Sequence, residues 1–93
     1  MAAFFTRTRP NSVSHGAVLD FETLYPEGDL ATMRVRPRED TLLRVIAGVV
    51  SLTVDGAERL LETGQEAIVL AGARYRLASA GEEARVVIGF RAR

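Results

Sequence analysis

The sequence contains no cysteine, no lysine and no tryptophan, and His15 is its only histidine. Without cysteine the chain has no disulfide, no thiol nucleophile and no thiolate metal ligand. Without lysine it cannot form a Schiff base with a carbonyl substrate. Nothing in the pattern places a nucleophile and a carboxylate near His15, so we interpret it as a surface residue rather than part of a catalytic triad.

The chain also lacks net charge and long apolar segments. Its 93 residues include 12 basic residues, all arginine, and 12 acidic residues, so the formal net charge is +0. This balance gives no electrostatic footprint for nucleic acid. No stretch approaches the roughly 20 apolar residues of a membrane helix, and the start, MAAFFTRTRP, is charged too early for a signal peptide. We therefore expect a cytoplasmic protein without a nucleic-acid or membrane partner.

The apolar residues alternate with polar ones, which is typical of half-buried strands. Turn residues recur roughly every 8–12 positions, as in all-β sandwiches and barrels. Asp55-Gly56 lies between two alternating segments and predicts a hairpin. We predict an irregular N-terminal arm over residues 1–16 and one all-β domain over residues 17–93, with strands near residues 17–21, 30–36, 41–48, 49–54, 58–62, 66–70, 74–79 and 84–90.

The order of strands and glycines over residues 42–90 resembles the cupin family. The likeness is carried by RVIAGVVSLTVDG (44–56) and LLETGQEAIVLAGARYRL (60–77). Gly48 matches the closing glycine of the first cupin motif, and Gly64 and Gly72 match the two glycines of the second motif at the family's spacing. The resemblance implies an antiparallel cupin-type β-barrel, also called a double-stranded β-helix or jelly roll.

The metal ligands of cupins are not found at the matching positions. The His-x-His pair falls near Arg34 and Arg36, the glutamate on Thr41, and the last histidine on Tyr75. A second alignment matches Pro37 to a turn proline and leaves the His-x-His segment largely deleted. Arginine cannot be deprotonated in a protein, and iron or zinc prefers imidazole and carboxylate ligands. We therefore predict no metal and no cofactor.

The candidate ligand-binding residues are those that the resemblance assigns to the barrel interior: Arg34, Arg36, Thr41, Tyr75 and Ser79. Alternation favours Met33 and Val35 in the core and both arginines in solvent. The opposite orientation makes the arginines a clamp for carboxylate or phosphate in the barrel mouth. Tyr75 is predicted to point inward, either as a ligand contact or general acid or as an ordinary core tyrosine.

Three functions remain open at this point. The first is a metal-independent cupin-like protein that binds a small organic ligand, including an organic anion, in its barrel. The second is a metal-free isomerase, cyclase or lyase that uses Tyr75 for proton transfer. The third is a structural or interaction role as a homodimer, which near-zero net charge permits and the resemblance to small cupins implies. Leu42 and Ile46 are candidates for the dimer face, and the first function needs an apolar interior lined by Leu43, Val45, Val50, Leu52, Leu77 and Tyr75.

Overall fold

The alternating segments form strands, which build two antiparallel sheets. The computed structural model describes residues 4–8, 18–26 and 33–92. Within these ranges, no helix has the length and apolar character needed to cross a membrane. The strands of the described residues are β1 (Phe4–Thr8), β2 (Val18–Leu24), β3 (Arg34–Val35), β4 (Glu39–Ala47), β5 (Val50–Val54), β6 (Ala57–Leu61), β7 (Gln65–Val69), β8 (Arg74–Ser79) and β9 (Ala84–Ala92).

The two sheets enclose one core between their inner faces. One sheet has the strand order β1-β7-β4-β9-β2 and the other the order β3-β8-β5-β6. Along β5, alternate residues are buried and the residues between them are half-buried, because successive side chains point to opposite faces of a sheet. The residues predicted to line the interior all belong to this buried cluster: Leu43, Val45, Val50, Leu52, Tyr75 and Leu77. Burying each large aliphatic side chain stabilises the fold by about 1.5–3 kcal/mol.

The predicted hairpin at Asp55-Gly56 is confirmed. Both residues have positive φ, 47° and 87°, as a type I′ turn requires. The Asp55 carboxylate accepts a hydrogen bond from the Arg74 amide at 3.2 Å, and the Asp55 amide donates to the Arg74 carbonyl at 2.9 Å. These bonds tie the turn to the start of β8 and so fix the strand that carries Tyr75.

The beginning of the chain differs from the prediction. The pattern predicts an irregular arm over residues 1–16, but Phe4–Thr8 forms β1, which pairs with β7. The backbone groups along a strand edge can pair with any extended segment, so this strand needs no alternating pattern of its own. The strand predicted over residues 30–36 is only Arg34–Val35 within the described residues. Residues 9–17, including His15, and residues 27–32 lie outside the described residues.

The outer face of the five-stranded sheet also buries apolar residues. Leu42 and Val87 form a second cluster, against which Ile68 packs. Leu42 is only 3% exposed, whereas Ile46 is 38% exposed. The expectation that Leu42 belongs to an exposed dimer face is therefore wrong, because its side chain is already covered within one chain. The homodimer itself stays a prediction.

Candidate functional site

Strand β3 places Arg34 beside Tyr75. The two residues lie directly opposite each other in the register of β3 and β8, so their side chains share one face of the sheet. Tyr75 is 2% exposed and belongs to the core, so this face is the inner one. Met33 and Val35 are 47% and 48% exposed. The orientation that alternation favours, with Met33 and Val35 in the core, is therefore wrong.

Arg34 is held in this orientation by an ion pair with Glu22. Arg34 Nη1 donates to Glu22 Oε2 at 2.9 Å, and Nη2 contacts Oε1. The carboxylate is therefore bound bidentately, the geometry that suits a planar guanidinium best. The hydrogen bond to Glu22 raises the pKa of Arg34 although burial opposes the change, and the Tyr75 hydroxyl adds a smaller contribution in the same direction.

The Arg34–Glu22 pair connects the edges of the two sheets. Glu22 lies on β2, the edge strand of the five-stranded sheet, and Arg34 on β3, the edge strand of the other. Glu22 faces inward because it is opposite the buried Val86 in the β2–β9 register. The side chains of Arg34 and Glu22 are 32% and 35% exposed. The pair therefore lies at a partly open margin of the barrel, within reach of solvent.

Arg36 lies over the ring of Phe90. Its guanidinium carbon is 3.8 Å from the ring centroid, which is the geometry of a cation–π contact. Arg36 Nη2 also forms an ion pair with Glu39 Oε1 at 3.1 Å. Phe90 is opposite Thr41 in the β4–β9 register, and Thr41 is 1% exposed. The structure therefore brings Arg36 and Thr41 to the same aromatic ring.

Ser79 is not brought together with these residues. It is the last residue of β8, four positions after Tyr75, which corresponds to about 13 Å along a strand. Its hydroxyl accepts a hydrogen bond from the Gly81 amide at 3.1 Å, and its amide donates to the Tyr25 carbonyl at 2.8 Å. The first contact belongs to the turn after β8, and the second joins the end of β8 to the segment that follows β2.

The side chains at the family's metal positions do not fit a metal ion. Arg34 and Arg36 carry positive charge and only hydrogen-bond donors, so they repel a cation and cannot coordinate it. Across residues 20–26 and 33–92, no group of three or more His, Cys, Asp or Glu side chains could hold a metal ion. Both guanidiniums are instead paired with carboxylates, Arg34 with Glu22 and Arg36 with Glu39.

The comparisons with known proteins rest on structure rather than on sequence. No family model matches the chain, and no curated protein matches it. The cupin domain of Cnp3 from Schizosaccharomyces pombe superposes with a TM-score of 0.72 at 14% identity, covering 97% of this chain and 60% of that one. The chain has the cupin fold. The barrel of plu4264 from Photorhabdus luminescens is equally similar, with a TM-score of 0.72 at 12% identity over 97% of this chain and 74% of that one.

A third cupin-fold neighbour is much longer than this chain. Hydroxypropylphosphonic acid epoxidase from S. wedmorenis, solved in complex with fosfomycin, superposes with a TM-score of 0.69 at 18% identity. The match covers 78% of this chain and 42% of the epoxidase, so this chain spans less than half of its length. The predicted all-β antiparallel cupin barrel is confirmed by these neighbours, and at such identities they show the fold alone.

Two residues of this cupin site were not predicted from the sequence. Glu22 lies on β2, whose alternation of Glu22 and Leu24 against Phe21 and Thr23 would have placed it on the inner face. Phe90 closes the last apolar strand, but its contact with Arg36 joins residues far apart in sequence. The local pattern therefore indicates the face on which Glu22 lies, but not that either residue contacts an arginine.

Proposed function

We propose that this cupin barrel binds a small organic acid at Arg34, without a metal ion. The observation that carries the proposal is the bidentate grip of Arg34 on a carboxylate, that of Glu22, next to the buried Tyr75. A guanidinium that holds one carboxylate in this geometry is built to hold another. The ligand's carboxylate would bind the two terminal nitrogens of Arg34.

The neighbouring residues supply the rest of the proposed binding site. Tyr75 lies directly opposite Arg34 in the register of β3 and β8, and its hydroxyl contributes to the raised pKa of Arg34. Arg36 lies two residues after Arg34 and adds a second cation, which stacks on the ring of Phe90; a longer organic acid would reach it. Partial burial strengthens these interactions because the effective dielectric constant is lower there than in water. Ser79 is left out of the proposed site because its hydroxyl is bonded to Gly81 in the turn after β8.

Binding ranks ahead of proton transfer by Tyr75. A general acid or base must come within hydrogen-bonding distance of its substrate, and Tyr75 is 2% exposed and packed in the core. It lies directly opposite Arg34 in the register of β3 and β8. A contact to a ligand carboxylate held by Arg34 needs no rearrangement of the core, whereas catalysis on a larger substrate does.

The test compares two arginines on adjacent strands. Benzoate binding is measured by isothermal titration calorimetry at low salt for the wild type, Arg34→Gln and the control Arg74→Gln. Arg74 is exposed and is opposite Val35 on the outer face of the same sheet, so both variants remove the same charge. We expect Arg34→Gln to weaken benzoate binding at least tenfold and Arg74→Gln to leave it unchanged. Equal affinities of Arg34→Gln and the wild type would refute the proposal.

A further inference from the structure

The two terminal nitrogens of Arg34 already have a hydrogen-bonding partner in the folded chain. Each terminal nitrogen of Arg34 contacts a different oxygen of Glu22, so both donors that a ligand carboxylate would use are engaged. A ligand can take this position only if the Glu22 carboxylate moves away.

The position of Glu22 allows its carboxylate to leave Arg34. Its side chain is 35% exposed, so a displaced carboxylate can return to water. It projects from β2, which pairs along its length with β9 alone at the edge of the sheet. Arg34 lies opposite the core residue Tyr75 and its side chain is exposed to a similar extent, 32%. Its guanidinium is therefore also open to a ligand once the Glu22 carboxylate leaves.

We infer that the Glu22 carboxylate competes with ligand carboxylates for Arg34. It binds both terminal nitrogens of Arg34 in the free protein and so selects for monocarboxylate ligands. This inference rests on the proposed function. A monocarboxylate that displaces Glu22 replaces one negative charge at Arg34 with another. A dianion such as inorganic phosphate adds a second negative charge beside the displaced Glu22 carboxylate, and like charges repel. Benzoate is therefore favoured over phosphate.

The experiment removes the Glu22 carboxylate and keeps Arg34. Benzoate and inorganic phosphate are titrated calorimetrically into the wild type, Glu22→Gln and the control Asp20→Asn, which removes one carboxylate two positions away on the same face. A partly exposed, well-aligned ion pair contributes little free energy. Removing it should therefore change the dissociation constant of a ligand that competes for the same guanidinium by about fivefold. We expect Glu22→Gln to bind benzoate about fivefold more tightly than the wild type, and Asp20→Asn to change the affinity less than twofold.

A second variant keeps the test valid if Glu22→Gln fails to fold. Glu22→Asp keeps the charge but shortens the side chain by one methylene, which weakens its grip on Arg34, so it too should bind benzoate more tightly than the wild type. Unchanged or weaker benzoate binding in both Glu22 variants would overturn the inference, as would an equal gain in Asp20→Asn or a preference for phosphate. If Arg34→Gln still loses benzoate binding in that case, the proposed function stands and only the role of Glu22 fails.

Discussion

Replacing Gly48 with alanine should destabilise the barrel by about 2–5 kcal/mol. Gly48 has φ +80°, and a Cβ built on it would lie 2.7 Å from the carbonyl oxygen of Glu83 and 3.0 Å from the Cα of Ala84. An L-residue in the left-handed region costs roughly 1–2 kcal/mol. The clash adds about 1–3 kcal/mol, because Ala84 begins β9, is 1% exposed and cannot shift freely.

The matched control is Gly56→Ala. Gly56 has φ +87°, but nothing lies within 4 Å of a Cβ built on it, so only the conformational cost of about 1–2 kcal/mol remains. Both variants are unfolded in urea and followed by far-ultraviolet circular dichroism, and their free energies of unfolding are compared with that of the wild type. A loss in Gly48→Ala no greater than in Gly56→Ala would refute the close approach of Gly48 to β9.

Two further substitutions test the candidate site. A double-mutant cycle with Glu22→Gln and Arg34→Gln should give a coupling free energy of about 0.5–1 kcal/mol in urea unfolding. The coupling should fall as salt rises, because both side chains are about one-third exposed and solvent screens such pairs. A coupling of zero at low salt would contradict the ion pair. In the same assay, Tyr75→Phe should lower the free energy of unfolding by less than about 1.5 kcal/mol and Tyr75→Ala by about 3–5 kcal/mol. Equal losses would contradict a core position for the ring.

The strands that follow Pro37 could be predicted from the sequence because their information is local. Asp55-Gly56 needs only two residues to specify a turn, and β8 alternates from Arg74 to Leu77. The strand β1 could not be predicted in this way, since Phe4–Thr8 is ordered by pairing with β7, far along the chain. The burial of Leu42 likewise depends on packing over the outer face of a sheet.

The candidate site could be predicted only in part. The motif spacing put Arg34 and Tyr75 at matching positions, and the register brings them together. The orientation of Arg34 could not be read from alternation, because β3 has only two residues within the described part of the chain and an ion pair with Glu22 offsets the cost of turning a charge inward. Glu22 and Phe90 come from strands that meet the arginines only after folding.

The most direct test of metal-free acid binding is the melting temperature of the wild type and Arg34→Gln with divalent metal ions, a chelator, and small carboxylic acids such as benzoate. A ligand present at about 100 times its dissociation constant adds about 2.7 kcal/mol of stability, a shift of roughly 10–20 °C for a domain of this size. We predict that the acids stabilise the wild type and not Arg34→Gln, and that neither metal ions nor chelator has an effect. Stabilisation of the wild type by a metal ion, reversed by the chelator, would contradict the account.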